Sequence, residues 1–225
     1  MLDVTAALED VMRAPQGPGT GASAAVRQLA TSILTHANEA PGGFPEALQR
    51  AFVDASRRLD RVSIAVTGLG WLGSGVPSVE QQVIALIRGA QREVTLCAYA
   101  ITAGALPFLR EMGEVVNQGV NATLIVNAFN QQPTAIQAYL KDAARVLPQR
   151  WRILDFSPLG SQTELHAKVL VVDRSVALVG SANLSFHGMV SNHEMAVIVR
   201  GPTAESIAER LDMLARGAAV RSSLS

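Results

Sequence analysis

One stretch of the chain, from Leu165 to Asn183, holds side chains that could perform chemistry on a phosphate group. Its spacing is His-x-Lys, then four residues to an aspartate, then six to Gly-Ser-x-Asn. These positions are His166, Lys168, Asp173, Gly180, Ser181 and Asn183. An imidazole can attack phosphorus or carry a proton, an ammonium supplies a compact positive charge, and an amide donates to phosphoryl oxygens. The stretch therefore indicates phosphoryl-transfer chemistry.

The same spacing predicts a β-hairpin that would position these groups. Residues 165–173 alternate as a β-strand, which places His166 and Lys168 on one face and Asp173 on the other. Asp173 opens a turn, and residues 176–180 form the returning strand. Gly180 then lets the chain bend closely, so that Asn183 arrives beside the histidine and the lysine. A half-buried hairpin with two polar outer residues is the alternative, but it explains neither the Gly-Ser-x-Asn segment nor the spacing.

This motif resembles the signature of the phospholipase D superfamily, and it matches that signature without departures. The resemblance covers roughly residues 78–216. It implies an α/β fold, a sandwich with a mixed central β-sheet flanked by helices. Members of the family place a glutamate that orients the catalytic histidine where Glu194 stands here. The resemblance thus implies that the catalytic residues are His166, Lys168, Asn183, Glu194 and Asp173, and that Lys168, Ser181 and Asn183 bind the substrate.

Several other polar residues compete for roles near this motif. Glu164 shares the predicted face of His166, so it is a second candidate for holding the imidazole. Asp173 faces away from His166, which favours a structural role in bonding the turn. His187 follows the motif in a loop and is interpreted as a surface residue. His193 points away from the face of Glu194 and is interpreted as structural.

Periodic patterns predict an N-terminal helical segment over residues 1–61 and a phospholipase D-like catalytic domain over residues 62–225. In the second part, strands and helices alternate, which is typical of an α/β sandwich. Ser78, followed three residues later by Gln81, predicts the start of a helix. The predicted strands are 62–66, 93–100, 122–127, 151–156, the motif hairpin and 194–200, and the later helices are about 105–118, 133–147 and 203–216.

The glycine-rich segment from Gly68 to Gly73 matches the spacing of a dinucleotide-binding fingerprint. That fingerprint requires the glycines to run directly into a helix, whereas a Ser-Gly-Val-Pro segment intervenes here. We therefore expect no nucleotide cofactor. A loop at the rim of the phosphodiester site is the better interpretation, with Trp71 available to stack on a base. Ordinary packing of the loop is the alternative for that tryptophan.

Composition limits the classes of protein and partner. The chain has 225 residues, 48% of them hydrophobic and 17% charged, as in globular proteins. Its net charge is zero, so an anionic partner must be held by a local patch. The single Cys97 cannot form an internal disulfide, and no cluster has metal-ligand spacing. We find no signal sequence and no membrane-spanning run, so we expect a cytoplasmic protein that needs no cofactor, metal or membrane.

The resemblance and the single motif together predict a mechanism and a partner. In-line displacement at phosphorus uses a nucleophile and a proton donor on opposite sides, and one motif supplies only one of them. Single-motif members of the family pair as homodimers, which would bring two His166 side chains together for a metal-independent reaction through a phosphohistidine. Nucleic acid, DNA or RNA, is the expected substrate. The alternatives are a phospholipid or other small phosphodiester, or a weakly catalytic nucleic-acid-binding subunit.

The organisation of the chain is also similar to the phospholipase D-like component of a bacterial anti-phage defence system. A helical front segment, a Thr-Gly loop and one motif make up this similarity. It implies other defence-system subunits as partners.

Overall fold

The computed structural model describes residues 60–71, 73–156, 164–217 and 220–222, with Ala30, Thr31, Ile33, Thr35 and Leu48. The chain divides into two compact units, Met1–Asp60 and Arg61–Ser225. The boundary that the sequence predicts between residues 61 and 62 stays a prediction. The helices predicted within residues 1–61 fall almost wholly outside the described residues. The elements that position the motif belong to the second unit.

Strands and α-helices alternate in the described part of the second unit. They are β1 (Arg61–Thr67), α1 (Val79–Arg88), β2 (Glu93–Ala98), α2 (Leu106–Asn117), β3 (Asn121–Asn127), α3 (Thr134–Val146), β4 (Trp151–Phe156), β5 (Val169–Val172), β6 (Val176–Gly180), β7 (Glu194–Arg200), α4 (Pro202–Gly217) and β8 (Val220–Ser222). The predicted capping of α1 is confirmed, because Ser78 Oγ accepts a hydrogen bond of 3.1 Å from Gln81 N. Local sequence signals therefore define most element boundaries.

All eight described strands form one mixed sheet in the order β1-β7-β6-β5-β2-β3-β4-β8. β2, β3 and β4 are parallel to one another, and the remaining pairs are antiparallel. The parallel strands are joined through α2 and α3, as parallel connections require. The predicted α/β fold with a mixed central sheet is confirmed.

Two hydrophobic clusters cover the two faces of this sheet. The cluster that includes α1, α2 and α3 contains Ile87, Leu109, Leu124, Ile136 and Leu170. The cluster that includes α4 contains Cys97, Ile125, Val171, Ala177 and Ala208. Adjacent residues of β3 and β5 thus point into different clusters, because successive side chains of a strand alternate between faces. Burial on both sides explains why the central strands are almost entirely apolar.

Two features of the sheet differ from the sequence-based expectation. The first strand of the hairpin covers only Val169–Val172, so His166 and Lys168 lie in the segment that precedes β5 and not within it. This segment is fixed by contacts from other parts of the chain, which strand periodicity does not detect. The second feature is β8, which pairs antiparallel with β4 over three residues. Three residues are too few to produce a periodic pattern.

Asp173 occupies the turn between β5 and β6 and joins it to the start of β2. Its backbone is left-handed, with φ of 52°, which aspartate tolerates better than most residues. Its carboxylate accepts hydrogen bonds of 2.9, 2.7 and 2.9 Å from the backbone nitrogens of Gln91, Arg92 and Glu93. The predicted role in bonding the turn agrees with these contacts.

One edge region of the sheet leaves apolar side chains exposed on the face that carries α4. They are Val62 and Ile64 of β1, Val179 of β6, and Met195 and Val197 of β7. Ile64 and Val179 both pair with Val197, so the exposed side chains are contiguous. Contiguous exposed apolar area is typical of a surface that contacts another molecule.

Among the described residues, no helix is both long enough and apolar enough to cross a membrane.

We expect Asp173→Asn to destabilise the protein by about 1–3 kcal/mol, because an amide cannot replace a carboxylate that accepts three backbone hydrogen bonds. Urea unfolding at neutral pH would measure this loss. Asp142→Asn is the matched control, since Asp142 forms an exposed ion pair with Arg145 that contributes little. Equal unfolding midpoints for the two variants would contradict the role of Asp173.

The stability that Asp173 provides should also depend on pH. Burial alone would raise the pKa of Asp173, but the backbone N–H groups of residues 91–93 outweigh it and lower the pKa below its ordinary value. Stability from this group is therefore fully present above the ordinary pKa of about 3.9 and is lost as the pH falls below it. The difference between wild type and Asp173→Asn should shrink over that acidic range in the same unfolding measurement.

Candidate active site

The motif residues meet at one edge of the sheet. His166 and Lys168 precede β5, Ser181 and Asn183 follow β6, and Glu194 begins β7. Because β5, β6 and β7 are successively antiparallel, the start of β5, the end of β6 and the start of β7 lie at the same edge. The structure therefore brings together five of the residues that the sequence predicts for the site.

Asp173 is the exception. It follows β5 at the opposite edge of the sheet, where its carboxylate is bonded to the backbone at the start of β2. Asp173 matches the spacing of the motif. Its position at the opposite edge corrects the expectation that it belongs to the catalytic residues. Asp173 is a structural residue that keeps the hairpin in register.

The segment that carries His166 is held by a buried asparagine. Leu165 N donates a hydrogen bond of 3.0 Å to Oδ1 of Asn127, which lies at the end of β3 and is buried. Asn127 is fixed in turn by Gln132, whose Nε2 donates to the Asn127 carbonyl at 2.7 Å. Sequence analysis placed Asn127 in a core strand and did not identify this contact. The result is that His166 is exposed while the residue before it is buried.

Lys168 lies directly against the imidazole of His166. Its Nζ is 2.9 Å from His166 Nδ1 and 3.3 Å from Nε2, and it donates to the His166 carbonyl at 2.8 Å. Burial lowers the pKa of Lys168 below its ordinary value, although the nearby Glu194 carboxylate favours the charged form. An ammonium held here would stabilise negative charge that develops beside the imidazole.

Tyr99 packs on both of these residues and was not identified from the sequence. Its ring centroid is 4.5 Å from that of His166 and 5.3 Å from Lys168 Nζ. It follows β2, which ends at the same edge of the sheet because β2 is antiparallel to β5. The sequence signal for Tyr99 was its position directly after a core strand. That signal does not reveal its contacts, because His166 and Lys168 are distant in the chain. Tyr99 restricts the positions that the His166 ring can occupy.

The two glutamates that were candidates for holding His166 contact other groups instead. Ser181 Oγ donates a short hydrogen bond to Glu194, and Asn192 Nδ2 donates to Glu194 Oε1 at 3.3 Å. The charge of Glu164 raises the pKa of Tyr99, so this carboxylate lies near the phenol. In this structure Glu194 therefore bonds Ser181, and Glu164 lies near Tyr99.

Asn183 reaches the site on a tightly turned segment. A side chain at Gly188 would collide with the backbone of Asn183, so glycine allows the turn over His187–Ser191 to lie against it. Oδ1 of Asn183 is buried and has no hydrogen-bond partner. Buried polar atoms are seldom left unpaired, so this oxygen is an exception among buried groups.

The remaining predictions around the site can be placed as well. His187 is exposed and its Nδ1 lies 2.9 Å from Ser191 Oγ, and His193 Nε2 accepts a hydrogen bond of 3.0 Å from Gly70 N. The first contact agrees with the interpretation of His187 as a surface residue. The second agrees with the interpretation of His193 as a structural residue. The glycine-rich segment continues into a three-residue turn, Leu69–Trp71, and not into an α-helix, so it lacks the geometry of a dinucleotide fingerprint.

The free cysteine near the site, Cys97, has low reactivity at neutral pH. Burial raises the pKa of the Cys97 thiol to about 12, although Lys168 opposes this effect. The thiolate, which is the reactive form, is therefore scarce at neutral pH. Among the residues that the structure describes, no three His, Cys, Asp or Glu side chains form a group that could hold a metal ion. The chemistry available at this edge is that of an imidazole beside an ammonium.

Comparison with known protein families shows which family this chain belongs to. The family model described as "Cardiolipin synthase, PLD-like domain" matches residues 83–214, which is more than half of the chain. This match covers the edge where His166, Lys168, Asn183 and Glu194 meet. The chain belongs to the phospholipase D superfamily, whose fold is that of a phosphodiesterase.

Individual relatives fall in the same class. The chain is 31% identical over 117 residues to the DISARM protein DrmC of Bacillus paralicheniformis, covering 52% of this chain and 47% of the relative. It is 26% identical over 141 residues to the 5'-3' exonuclease PLD3 of Macaca fascicularis, covering 56% of this chain and 28% of that protein. The chain thus spans about half or less of the length of these relatives.

A solved structure confirms the fold. The phospholipase D family member Nuc from Salmonella typhimurium superposes with a TM-score of 0.56 at 19% sequence identity. The superposition covers 73% of this chain and all of Nuc. At this identity the likeness establishes the architecture alone.

We expect Lys168→Arg to lower the rate of phosphodiester hydrolysis by about 100-fold or more, although it keeps the positive charge. A planar guanidinium cannot take the place of a compact ammonium beside the His166 and Tyr99 rings. The measurement is turnover of bis(p-nitrophenyl) phosphate. Lys141 is the only other lysine, and Lys141→Arg should retain full activity. Near wild-type rates for Lys168→Arg would show that Lys168 provides only general attraction.

Proposed function

We propose that this chain is a metal-independent phosphodiesterase that acts as a nuclease on DNA or RNA. The observation that carries the proposal is the contact between Lys168 Nζ and the imidazole of His166 at an exposed edge of the sheet. Ser181 and Asn183 emerge from β6 at the same edge. A solvent-accessible nucleophile, a fixed positive charge and hydroxyl and amide donors are the groups that phosphoryl transfer requires.

The proposed reaction has two displacements at phosphorus. A neutral imidazole nitrogen of His166 attacks the phosphodiester, an N–P bond forms and the bond to the leaving oxygen breaks. A protonated His166 of a second subunit gives its proton to the departing oxygen. That second imidazole then takes a proton from water, the oxygen of which attacks phosphorus and breaks the N–P bond. The products are a phosphomonoester, a free hydroxyl and unmodified His166.

The neighbouring residues have distinct tasks in this proposal. Lys168 and Asn183 neutralise charge on the non-bridging oxygens, which grows as the nucleophile approaches. In the structure Ser181 donates its hydroxyl proton to Glu194, and on substrate binding this hydroxyl would turn from Glu194 to donate to those oxygens. Tyr99 keeps the imidazole ring in place through direct packing. The positive charge of Lys168, doubled in a shared site, supplies what a metal ion provides in other phosphodiesterases.

A homodimer is part of the proposal because the chain contains one copy of the motif. In-line displacement benefits from groups on both sides of phosphorus, and one subunit supplies a single His166. A two-fold axis beside the site would place the second imidazole opposite the first. The exposed apolar side chains on β1, β6 and β7 provide surface that pairing of two copies could cover.

Nucleic acid is preferred over lipid as the substrate. The support for this preference is that one relative is named as an exonuclease. The second candidate is hydrolysis of a phospholipid or another small phosphodiester, which the cardiolipin synthase description of the family model favours. The third is a weakly catalytic subunit that binds nucleic acid within a larger complex.

The biological setting that we propose is anti-phage defence, with other defence-system subunits as partners. Its support is the 31% identity to a DISARM protein over 117 residues, which is 52% of this chain. A cytoplasmic location is proposed with it. Co-purification of the chain expressed with its genomic neighbours would test the partnership.

Hydrolysis should persist in excess EDTA, because the proposed chemistry uses Lys168 instead of a cation. Purified protein would be incubated in EDTA with labelled DNA, labelled RNA and phosphatidylcholine vesicles in parallel, with His166→Ala as the inactive control. We expect cleavage of nucleic acid by the wild type only. Activity that disappears in EDTA and returns with Mg²⁺ would overturn the mechanism, and hydrolysis of the vesicles alone would overturn the substrate.

The shared site predicts a specific result for mixed dimers. A dimer of one wild-type and one His166→Ala subunit has one imidazole per site, so either attack or protonation fails, each worth about 10²- to 10⁴-fold. When His166→Ala protein is titrated into wild type with free exchange of subunits, activity should fall as the square of the wild-type fraction.

A linear fall in that titration would show that each chain works alone. The second acid would then have to come from the same subunit, with Glu164 and Glu194 as the first residues to test. Cleavage by a protein that sedimentation shows to be monomeric would also exclude the shared site.

A further inference from the structure

A cavity that the proposed mechanism does not use lies beside the site. It has a volume of about 310 Å³ and is formed by the loop between β1 and α1 together with the turn over His187–Ser191. Its lining includes Gly68, Trp71, Ser74, Ser78, Glu80 and Met189. This volume is at the lower end of the range for small-molecule sites.

The cavity and the catalytic edge are on the same side of the sheet. Thr67, at the end of β1, pairs directly with Glu194, so these two side chains point to the same face. Thr67 Oγ1 also donates a hydrogen bond of 3.3 Å to the carbonyl of Met189. Met189 lines both this cavity and the smaller apolar one that reaches Lys168. A strand bound at His166 would therefore have its neighbouring nucleotide close to the loop.

Contacts with Asn192 and His193 fix the loop that forms the cavity. Gly68 has φ of 112°, and a Cβ there would lie 2.8 Å from the Asn192 carbonyl. Gly70 N donates to His193 Nε2 at 3.0 Å, and a Cβ on Gly70 would lie 2.8 Å from the same nitrogen. The glycines thus allow the loop to lie directly on the residues that precede Glu194. Two of the three glycines that imitate a dinucleotide fingerprint, Gly68 and Gly70, have this structural role.

Trp71 is held in position but remains accessible. Its ring contacts the His193 ring edge-on, with centroids 6.5 Å apart, and 39% of the residue is exposed. Among the described lining residues, Glu80 is the only charged one, so the cavity is unsuited to a phosphate. An aromatic face with nearby hydroxyls suits a flat, uncharged group. A nucleobase has these properties, and every base can stack on an aromatic side chain.

We propose that Trp71 and the loop around it form a subsite for an unpaired nucleobase next to the phosphodiester that His166 attacks. The inference rests on the proposed function, since it takes nucleic acid as the substrate. It assigns Trp71 to binding of the substrate and gives no role to Trp71 in the chemical step. It also implies a preference for single-stranded substrate, because a paired base is not free to enter the cavity.

The test compares a base-carrying strand with an abasic strand of the same length. Binding of labelled oligothymidylate and of its abasic counterpart would be measured by fluorescence anisotropy in the His166→Ala background, where turnover is absent. We expect the base-carrying strand to bind about tenfold more tightly. Adding Trp71→Ala should abolish this difference, Trp71→Phe should keep part of it, and Val146→Ala, an exposed apolar control on α3, should leave it unchanged.

Intrinsic fluorescence provides an independent readout. The chain has two tryptophans, and Trp151 is buried with 5% exposure, so quenching by the base-carrying strand would report on Trp71. If base-carrying and abasic strands bind equally while the wild type still cleaves nucleic acid, the subsite is overturned and the nuclease stands. If neither strand binds and only phosphatidylcholine is hydrolysed, the proposed function itself is overturned.

Discussion

The arrangement of the site depends on the turn between β5 and β6 being fastened to the start of β2. The Asp173 carboxylate accepts three backbone hydrogen bonds there, which fixes where β5 lies along its neighbour. A slip of one residue in this pairing would turn every side chain of β5 to the other face. His166 and Lys168 lie at the other end of the same short strand. An interaction at one edge of the sheet therefore sets the geometry of the chemistry at the opposite edge.

The electrostatics at the edge that carries His166 and Lys168 favour an anionic ligand. Lys168 is partly buried against an imidazole, and burial lowers its pKa because the ammonium loses hydration. Glu194 offsets part of this effect, but it is itself bonded to Ser181 and Asn192. A phosphoryl group would provide the negative charge that the lysine lacks at close range. Because the whole chain has no net charge, attraction of such a group is local to this edge.

Separate segments of the chain provide the contacts around His166. Tyr99 and Asn127 come from the ends of β2 and β3 and restrict the ring and the residue before it. The glycine-rich loop arrives from the end of β1 and presents Trp71 beside the start of β7. In the site that we propose, strand ends support the reacting groups, whereas a loop provides the surface for the rest of the substrate. This division is common where one scaffold serves substrates of different shapes.

The sequence by itself determined the class of fold and most element boundaries, because periodicity and spacing are local properties of the chain. It also singled out the candidate site residues, which are His166, Lys168, Ser181, Asn183 and Glu194. Only the tertiary structure decided what those residues touch. It placed Asp173 at the opposite edge, bonded Ser181 to Glu194, and brought Tyr99 against His166. Asn127 and Leu165, for example, are 38 residues apart. Contacts at such separation depend on how strands are ordered in the sheet, and no short window of sequence contains that order.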